Sequence, residues 1–334
     1  MSLQFIMGNS GSGKSYCLYD TVVREAIENP DKNYLVIVPE QFTMQTQKDL
    51  CLAHPKGGIM NIDVLSFGRL AYRVFEEVGQ DARVVLDDEG KNLVLRKIAG
   101  ECEKDLKVFK GNLKKQGYIS EVKSVLSEFA QYGVDFERLD DFMKEVPPES
   151  YLHYKLDDIR TIYEKFEEYL SEKYITKEEM LDVLSDAVPY SDILKGSVVA
   201  MDGFTGFTPV QNRLIGELFS VCEKVMITVT MDGRENPYVY EHPYQIFALG
   251  KQMVTSLMKI AGEKKTEIEE PICLFERPVY RFRDCSEMAF LETELFRYSG
   301  AKYNGSCESV SLHEVRSPGK EAKYVAESIR RLVR

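Results

Sequence analysis

Eight residues near the start of the chain, Gly8-Asn9-Ser10-Gly11-Ser12-Gly13-Lys14-Ser15, satisfy G-x-x-x-x-G-K-S/T at every fixed position. That spacing serves the holding of phosphate oxygens. Glycines let successive backbone N–H groups turn inward, a lysine reaches the β and γ oxygens, and a hydroxyl ligates Mg²⁺, all at a helix N-terminus whose partial positive charge favours an anion. The expected ligand is therefore ATP with Mg²⁺, bound by Gly8 to Ser15. The competing reading is a glycine-serine turn that fits by chance.

Phosphate chemistry needs a second set of groups: an acidic side chain at a strand end to hold Mg²⁺, and a neighbouring carboxylate to activate water. The segment Ser197-Val198-Val199-Ala200-Met201-Asp202-Gly203-Phe204 supplies the first and omits the second. Asp202 joins Ser15 as an expected Mg²⁺ ligand. Gly203 stands where a glutamate base would, so no catalytic residue is assigned and hydrolysis is expected to be slow or absent. Read as local structure only, Asp-Gly after a strand is a turn. Glu40 substitutes for the missing base only if it faces the γ-phosphate.

Other side chains carry two readings each. Gln41, and Arg69 with Arg73 one helical turn apart, are candidate DNA contacts, or else a helix-start residue and a solvated helix face. Phe204 and Phe207 either stack on a base or belong to the core. Tyr151, Tyr154, Tyr163, Tyr169 and Tyr174 recur at helical spacings, as packing residues do.

Positioning the phosphate loop requires a strand before it and a helix after it, and the pattern supplies both. Near-continuous apolar runs at 3–7, 34–39 and 61–66 alternate with helical stretches from about Lys14, Gln41 and Phe67, the signature of βαβ units and a parallel sheet buried on both faces. From about Leu86 to Lys195 the β-branched runs stop and charged-face helical patterns take over, an all-α insertion of about 110 residues. Strands return at 197–204 and 224–231, with a helix from about Pro209 between them. Beyond Gly233 the pattern predicts helices near 243–261 and 286–297, a strand near 309–315 and a final helix over GKEAKYVAESIRRLVR. That helix reaches the last residue uncapped, which reads as a fragment of a longer protein.

The sequence has 334 residues, 44% of them hydrophobic, and a formal charge of −11. The charge argues against a generally basic nucleic-acid coat but leaves room for a local groove. No apolar run approaches the roughly 20 residues of a membrane span, and no leader pattern precedes the first strand, so the expected compartment is the cytoplasm with no membrane partner. Seven cysteines without a C-x-x-C pair, and four scattered histidines, give no zinc or disulfide framework.

Together, Val38-Pro39-Glu40-Gln41-Phe42-Thr43 and Asp202-Gly203-Phe204-Thr205-Gly206-Phe207 resemble the B subunit of the bacterial AddAB helicase–nuclease, called RexB in some lineages, a relative of superfamily 1 helicases. The first segment looks like that family's form of motif Ia, and Asp63 to Leu70 like the motif after it. Asp202 to Gly206 stands where an active helicase carries Asp-Glu-x-Gln-Asp, with Gln211 retained. Met226 to Asp232 takes the place of motif III without its usual ending. The resemblance implies a RecA-like P-loop NTPase domain over 1–85 and 196–334, interrupted by a helical insertion over 86–195 in the 1A/1B arrangement of superfamily 1. It also implies an A-type partner chain (AddA or RexA), DNA as substrate, a role in double-strand-break processing and Chi recognition, and a motor that has been lost. The family's nuclease and iron–sulfur cysteines lie further along the chain, so no cluster is expected here. The rival from another class is a self-contained P-loop ATPase or small-molecule kinase, which would need an arginine-rich lid that the insertion does not show.

Overall fold

The computed structural model describes residues 1–79, 84–113, 115–171 and 173–334. The first stretch forms β1 (Ser2–Gly8), α1 (Lys14–Glu28), β2 (Tyr34–Ile37), α2 (Thr43–Ala53), β3 (Ile62–Leu65) and α3 (Phe67–Val78), with a short 3-10 turn at Glu40–Phe42 before α2. The middle forms β4 (Val84–Leu86), α4 (Asp88–Glu101), α5 (Gln116–Tyr132), α6 (Phe136–Glu145), α7 (Tyr151–Leu170) and β5 (Tyr174–Thr176). Then come α8 (Glu179–Ala187), β6 (Val198–Met201), α9 (Pro209–Val221), β7 (Lys224–Thr230), α10 (Ala248–Lys264), β8 (Glu267–Ile268), β9 (Ile272–Leu274), α11 (Ser286–Glu294) and α12 (Pro318–Val333).

The main sheet runs β3-β2-β6-β7-β1-β8, with β9 also on β1, and every pair is parallel. Alternation along each strand sorts side chains to two faces. Tyr34 and Val36 of β2, Val198 and Ala200 of β6, and Met226 of β7 enter one core with Leu18, Tyr19, Val22 and Leu50 from α1 and α2. Leu35, Ile37, Val199, Met201, Val225 and Ile227 enter the other, with side chains of α3, α8, α9 and α10. The result is a three-layer α/β arrangement with both sheet faces covered, as the near-continuous apolar strands predict.

The helical block has a core of its own, built from residues of β4, α4, α5, α6 and α7 and the loops between them, from Leu86 to Leu170. Its two ends are clamped by β4 and β5, which pair in parallel, Val84 with Tyr174 and Leu86 with Thr176. Strands of three residues are too short to announce themselves by alternation, and the sequence pattern omits them. Asp87, Asp135 and Ser150 cap α4, α6 and α7 by accepting from Gly90, Arg138 and His153 N–H. Asp158, buried on α7, accepts from the N–H groups of Lys107, Val108 and Phe109 at 2.7–2.8 Å, which ties down the turn after α4.

Three expectations are corrected. Residues 175–195, read from the sequence with the insertion, place Ile175, Met180, Leu184, Ala187, Val188 and Leu194 in the core of the sheet. Residues 309–315 form no strand; among the described residues no strand pairs with VSLHEV. Of the five tyrosines read as packing residues, Tyr163 is in the helical core and Tyr174 packs against it, but Tyr151 is 72% exposed and Tyr169 is an exposed ring stacked on Tyr174 with centroids 6.1 Å apart.

By internal contacts the chain divides into Met1–Asn9 with Gly13–Phe275, and a smaller unit of Ser10–Ser12 with Glu276–Arg334. In the smaller unit Arg281 N–H donates to Gly11 O at 3.0 Å. There Glu287, on α11, accepts from the backbone N–H groups of Glu308 and Ser309, and Arg277 bonds Glu292 and Thr293.

Candidate functional site

The phosphate-type loop connects the C-terminal end of β1 to α1. Gly8 closes the strand, registered against Thr230 of β7, and Gly13 caps the helix with φ +95° and no side-chain cap. Gly11 and Gly13, at +85° and +95°, take the left-handed region where a Cβ is strained. At Gly11 an added Cβ would also lie 2.7 Å from Arg281 Cβ, so glycine is required there twice over. Lys14 folds back over the start of the loop, its Nζ donating to Gly8 O at 3.1 Å and Asn9 O at 2.9 Å. Ser15 is exposed at the head of α1, while the Ser12 hydroxyl oxygen is shielded from solvent and has no hydrogen-bond partner.

Asp202 follows β6 and shares the face of Val198 and Ala200, which turns its side chain towards α1. It is 7% exposed. Its carboxylate accepts from Tyr19 Oη at 2.8 Å through Oδ2 and from Thr228 Oγ1 at 2.6 Å through Oδ1. Thr228 comes from β7, the strand between those of the loop and of Asp202. Burial, and then the nearby Asp202 charge, push the Tyr19 phenol well above its ordinary range. The sequence reading names Asp202 but misses Tyr19 and Thr228. A hydroxyl at the first position of the β7 run TVT, and a tyrosine five residues beyond the loop lysine, were the available signals.

Gly203 has φ +79°, and a Cβ added to it would lie 3.5 Å from Pro39 Cδ and 3.6 Å from Phe42 Cδ2. The position after Asp202 is thus both a left-handed turn residue and a residue without a base. Glu40 is exposed on the 3-10 turn. Phe204 and Phe207 join Phe67 in one aromatic cluster, with centroids 5.1–6.3 Å apart, packed on the sheet core. The core reading of these half-buried rings is thereby met. Gln211 also has a local use: it completes a capping box at the start of α9, its Oε1 accepting from Thr208 N–H at 2.9 Å.

Gln41 is exposed on the turn after β2, and Arg69 and Arg73 lie on α3 after β3, Arg73 exposed and Arg69 exposed. Because β2 and β3 are adjacent and parallel, both segments leave the sheet at the same edge, the one at which Asp202 ends β6. Arg73 Nη2 lies 3.4 Å from Asp63 Oδ2 in an exposed ion pair. All seven cysteines are free thiols, and among the described residues no cluster of three or more His, Cys, Asp or Glu is placed to hold a metal. No helix among the described residues is long and apolar enough to cross a membrane.

Compared with known proteins, residues 5–292 match the family described as ADDB, N-terminal. The chain belongs to the AddB N-terminal family. Curated relatives share the assignment over the whole chain: a protein of Lachnoclostridium phytofermentans is 42% identical over 338 residues, and proteins of a Thermoanaerobacter species and of Clostridium tetani are 35% and 32% identical over 336. Each of the three is named as the B subunit of an ATP-dependent helicase/deoxyribonuclease. In each case 100% of this chain is covered, and it spans 29% of the relative's length. This AddB N-terminal chain therefore corresponds to the first part of what those relatives contain, with the α/β fold and helical block described above.

Proposed function

We propose that this chain is the nucleotide-binding, helicase-like region of the B subunit of a bacterial helicase–nuclease, a P-loop NTPase domain that binds ATP with Mg²⁺ without driving a motor. The reading is supported above all by one juxtaposition: a complete phosphate loop at the end of β1, and Asp202 at the end of β6, one strand removed, followed by Gly203 at φ +79°. The donor set suits the ligand. Positive-φ glycines open the loop backbone, Lys14 is at hand beside Gly8 and Asn9, and the Ser12 hydroxyl lacks a partner. Gly8 to Ser15 would hold the phosphates, with Ser15 and Asp202 on the Mg²⁺ side. The two hydroxyls on Asp202 leave lone pairs for a metal-bound water. Bound Mg²⁺ would neutralise phosphate charge; the chain offers no carboxylate next to Asp202 to deprotonate an attacking water.

Gln41 and Arg69 lie on segments that leave the sheet at the edge where Asp202 ends β6, with Arg73 one turn further along α3 beside Asp63, and we assign to these residues the guiding of a DNA strand and a share in Chi recognition within the double-strand-break processing assembly formed with the AddA-type partner chain. In domain terms, residues 1–85 and 196–334 are read as the 1A-type region and 86–195 as the 1B-type insertion, with the qualification that 175–195 pack on the sheet. Titration calorimetry with ATP and Mg²⁺ tests the nucleotide reading. Wild type binds with one site and Lys14→Ala does not; equal binding by the two, or none by wild type, refutes it.

A further inference from the structure

Hydrogen-bond accounting around Asp202 gives a directed chain. An ionised carboxylate only accepts, so both Tyr19 and Thr228 donate to it. A tyrosine hydroxyl has a single proton, and Tyr19 has spent it on Asp202. Thr46 Oγ1, 3.2 Å from Tyr19 Oη, must therefore be the donor in that contact. The order is Thr46 to Tyr19 to Asp202, with Thr228 closing the other side. All four side chains are nearly shut off from water: Tyr19 is 9% exposed, Asp202 7%, Thr228 4% and Thr46 3%. In such surroundings hydrogen bonds to a charge are strong and a displaced partner is not replaced by solvent.

The chain joins three elements with different tasks. Tyr19 lies on α1, five residues after Lys14, so the helix that starts at the phosphate loop carries it rigidly. Thr46 lies on α2, one turn into the helix that follows the Glu40–Phe42 turn bearing Gln41. Packing alone would be served by phenylalanine at position 19, because the ring already sits among Leu18, Val22 and Val38. The hydroxyl is what links the elements.

We propose that Tyr19 is a positioning residue that couples the state of Asp202 to α2, and thereby to the DNA-facing segment at Gln41. This rests on the nucleotide and DNA assignment proposed above. A cation drawn to Asp202 competes for the carboxylate charge that now holds the Tyr19 hydroxyl. With no water to take its place, the change passes to Thr46 and α2. The coupling is reciprocal: a strand that displaces the Gln41 segment alters nucleotide affinity by the same factor.

The test uses the full-length protein in its assembly. A labelled single-stranded oligonucleotide is titrated by fluorescence anisotropy, without nucleotide and with Mg²⁺ and a non-hydrolysable ATP analogue. The Lys14→Ala protein gives the nucleotide effect that originates elsewhere in the assembly. Wild type is expected to differ from Lys14→Ala by at least about fivefold in the ratio of the two affinities, the lower end of ordinary coupling. Tyr19→Phe and Thr46→Val should fall to the Lys14→Ala ratio within twofold while still binding nucleotide by calorimetry, and Thr46→Ser should keep the wild-type ratio. A wild-type ratio in folded Tyr19→Phe or Thr46→Val overturns the relay and leaves the nucleotide reading standing. If wild type and Lys14→Ala give one ratio while wild type binds nucleotide by calorimetry, the relay is overturned and the nucleotide reading stands; if wild type binds no nucleotide, the nucleotide reading fails and the relay with it. Should Tyr19→Phe not fold, the Thr46→Val and Thr46→Ser pair decides alone.

Discussion

Placing a glutamate at Gly203 tests the proposal that the site lacks only a base, and the backbone shows that two costs attend it. At φ +79° a residue with a Cβ is strained by about 1–2 kcal/mol. Sterics add little, because the nearest atoms to that Cβ, Pro39 Cδ at 3.5 Å and Phe42 Cδ2 at 3.6 Å, are at ordinary contact distance. Gly203→Ala and Gly203→Glu should therefore lose the same stability, set by the backbone. With an unfolding entropy of about 2.1 cal/mol/K per residue, a chain of this length unfolding as one unit has about 0.7 kcal/mol/K, so Tm falls by about 1.5–3 °C. The second cost is directional. The new side chain sets out towards the Pro39–Phe42 turn, so Gly203→Glu alone should not confer DNA-stimulated ATP hydrolysis. Calorimetric melts of both variants, and ATPase assays of the full assembly with and without an added Lys14→Ala, measure the two effects. Turnover gained by Gly203→Glu and abolished by Lys14→Ala would refute the directional reasoning. DNA-dependent turnover assigned in the same way to the site with Gly203 intact would refute the motor-inactive reading. An unchanged Tm for Gly203→Ala would refute the strain.

In the helical block, Lys91 is 3% exposed and pairs with Glu178 at 2.7 Å, so Glu178→Ala strands a buried charge and should cost about 3–5 kcal/mol in chemical denaturation; a loss below about 1 kcal/mol would show that Ser127, also bonded to Lys91, suffices. Nearby, burial and then the Glu179 carboxylate raise Glu167 to about 7 from 4.5. A raised folded-state pKa favours the folded protein below the unfolded value, and that contribution is lost as pH rises from about 4.5 through 7. Glu167→Gln should accordingly gain stability relative to wild type between pH 4.5 and pH 8 in melts, whereas parallel Tm–pH curves would contradict the shift. Thr208→Ala removes the Thr208–Gln211 capping box of α9 and should cost about 0.5–2 kcal/mol by urea denaturation, with Thr208→Ser close to wild type.

What could be read from the sequence was local. The run YLVI buries all four residues, and the Gly8–Ser15 loop lies between a strand and a helix as the sequence pattern predicts. The partners of the site are separated by too much chain to read. Tyr19 and Asp202 are 183 residues apart, and only strand order brings them together. The period of α8 is the same whichever core it faces, so its place on the sheet had to await the structure. Gly203 was legible as the absence of a carboxylate but not as a left-handed backbone. Phe204, Phe207 and Gln211, which the sequence leaves open to nucleic-acid or motor roles, prove to be held by an aromatic cluster and a helix cap.

The strand order also bears on how the protein is made. The strand that ends at Gly8, β1, pairs with β7, β8 and β9 and never with β2, although β2 is the next to be synthesised. From Gly8, the end of β1, to Lys224, the start of β7, the ribosome must add 216 residues. At about 5–20 residues per second that takes roughly 10–40 s, during which an apolar strand has no native neighbour. The helical block, whose core and clamping strands fall between Val84 and Thr176, is complete well before then. During translation the inserted block can therefore fold first, while the sheet that surrounds it in sequence still waits for its centre, and in that interval the unpaired edges of β1 are open to non-native pairing.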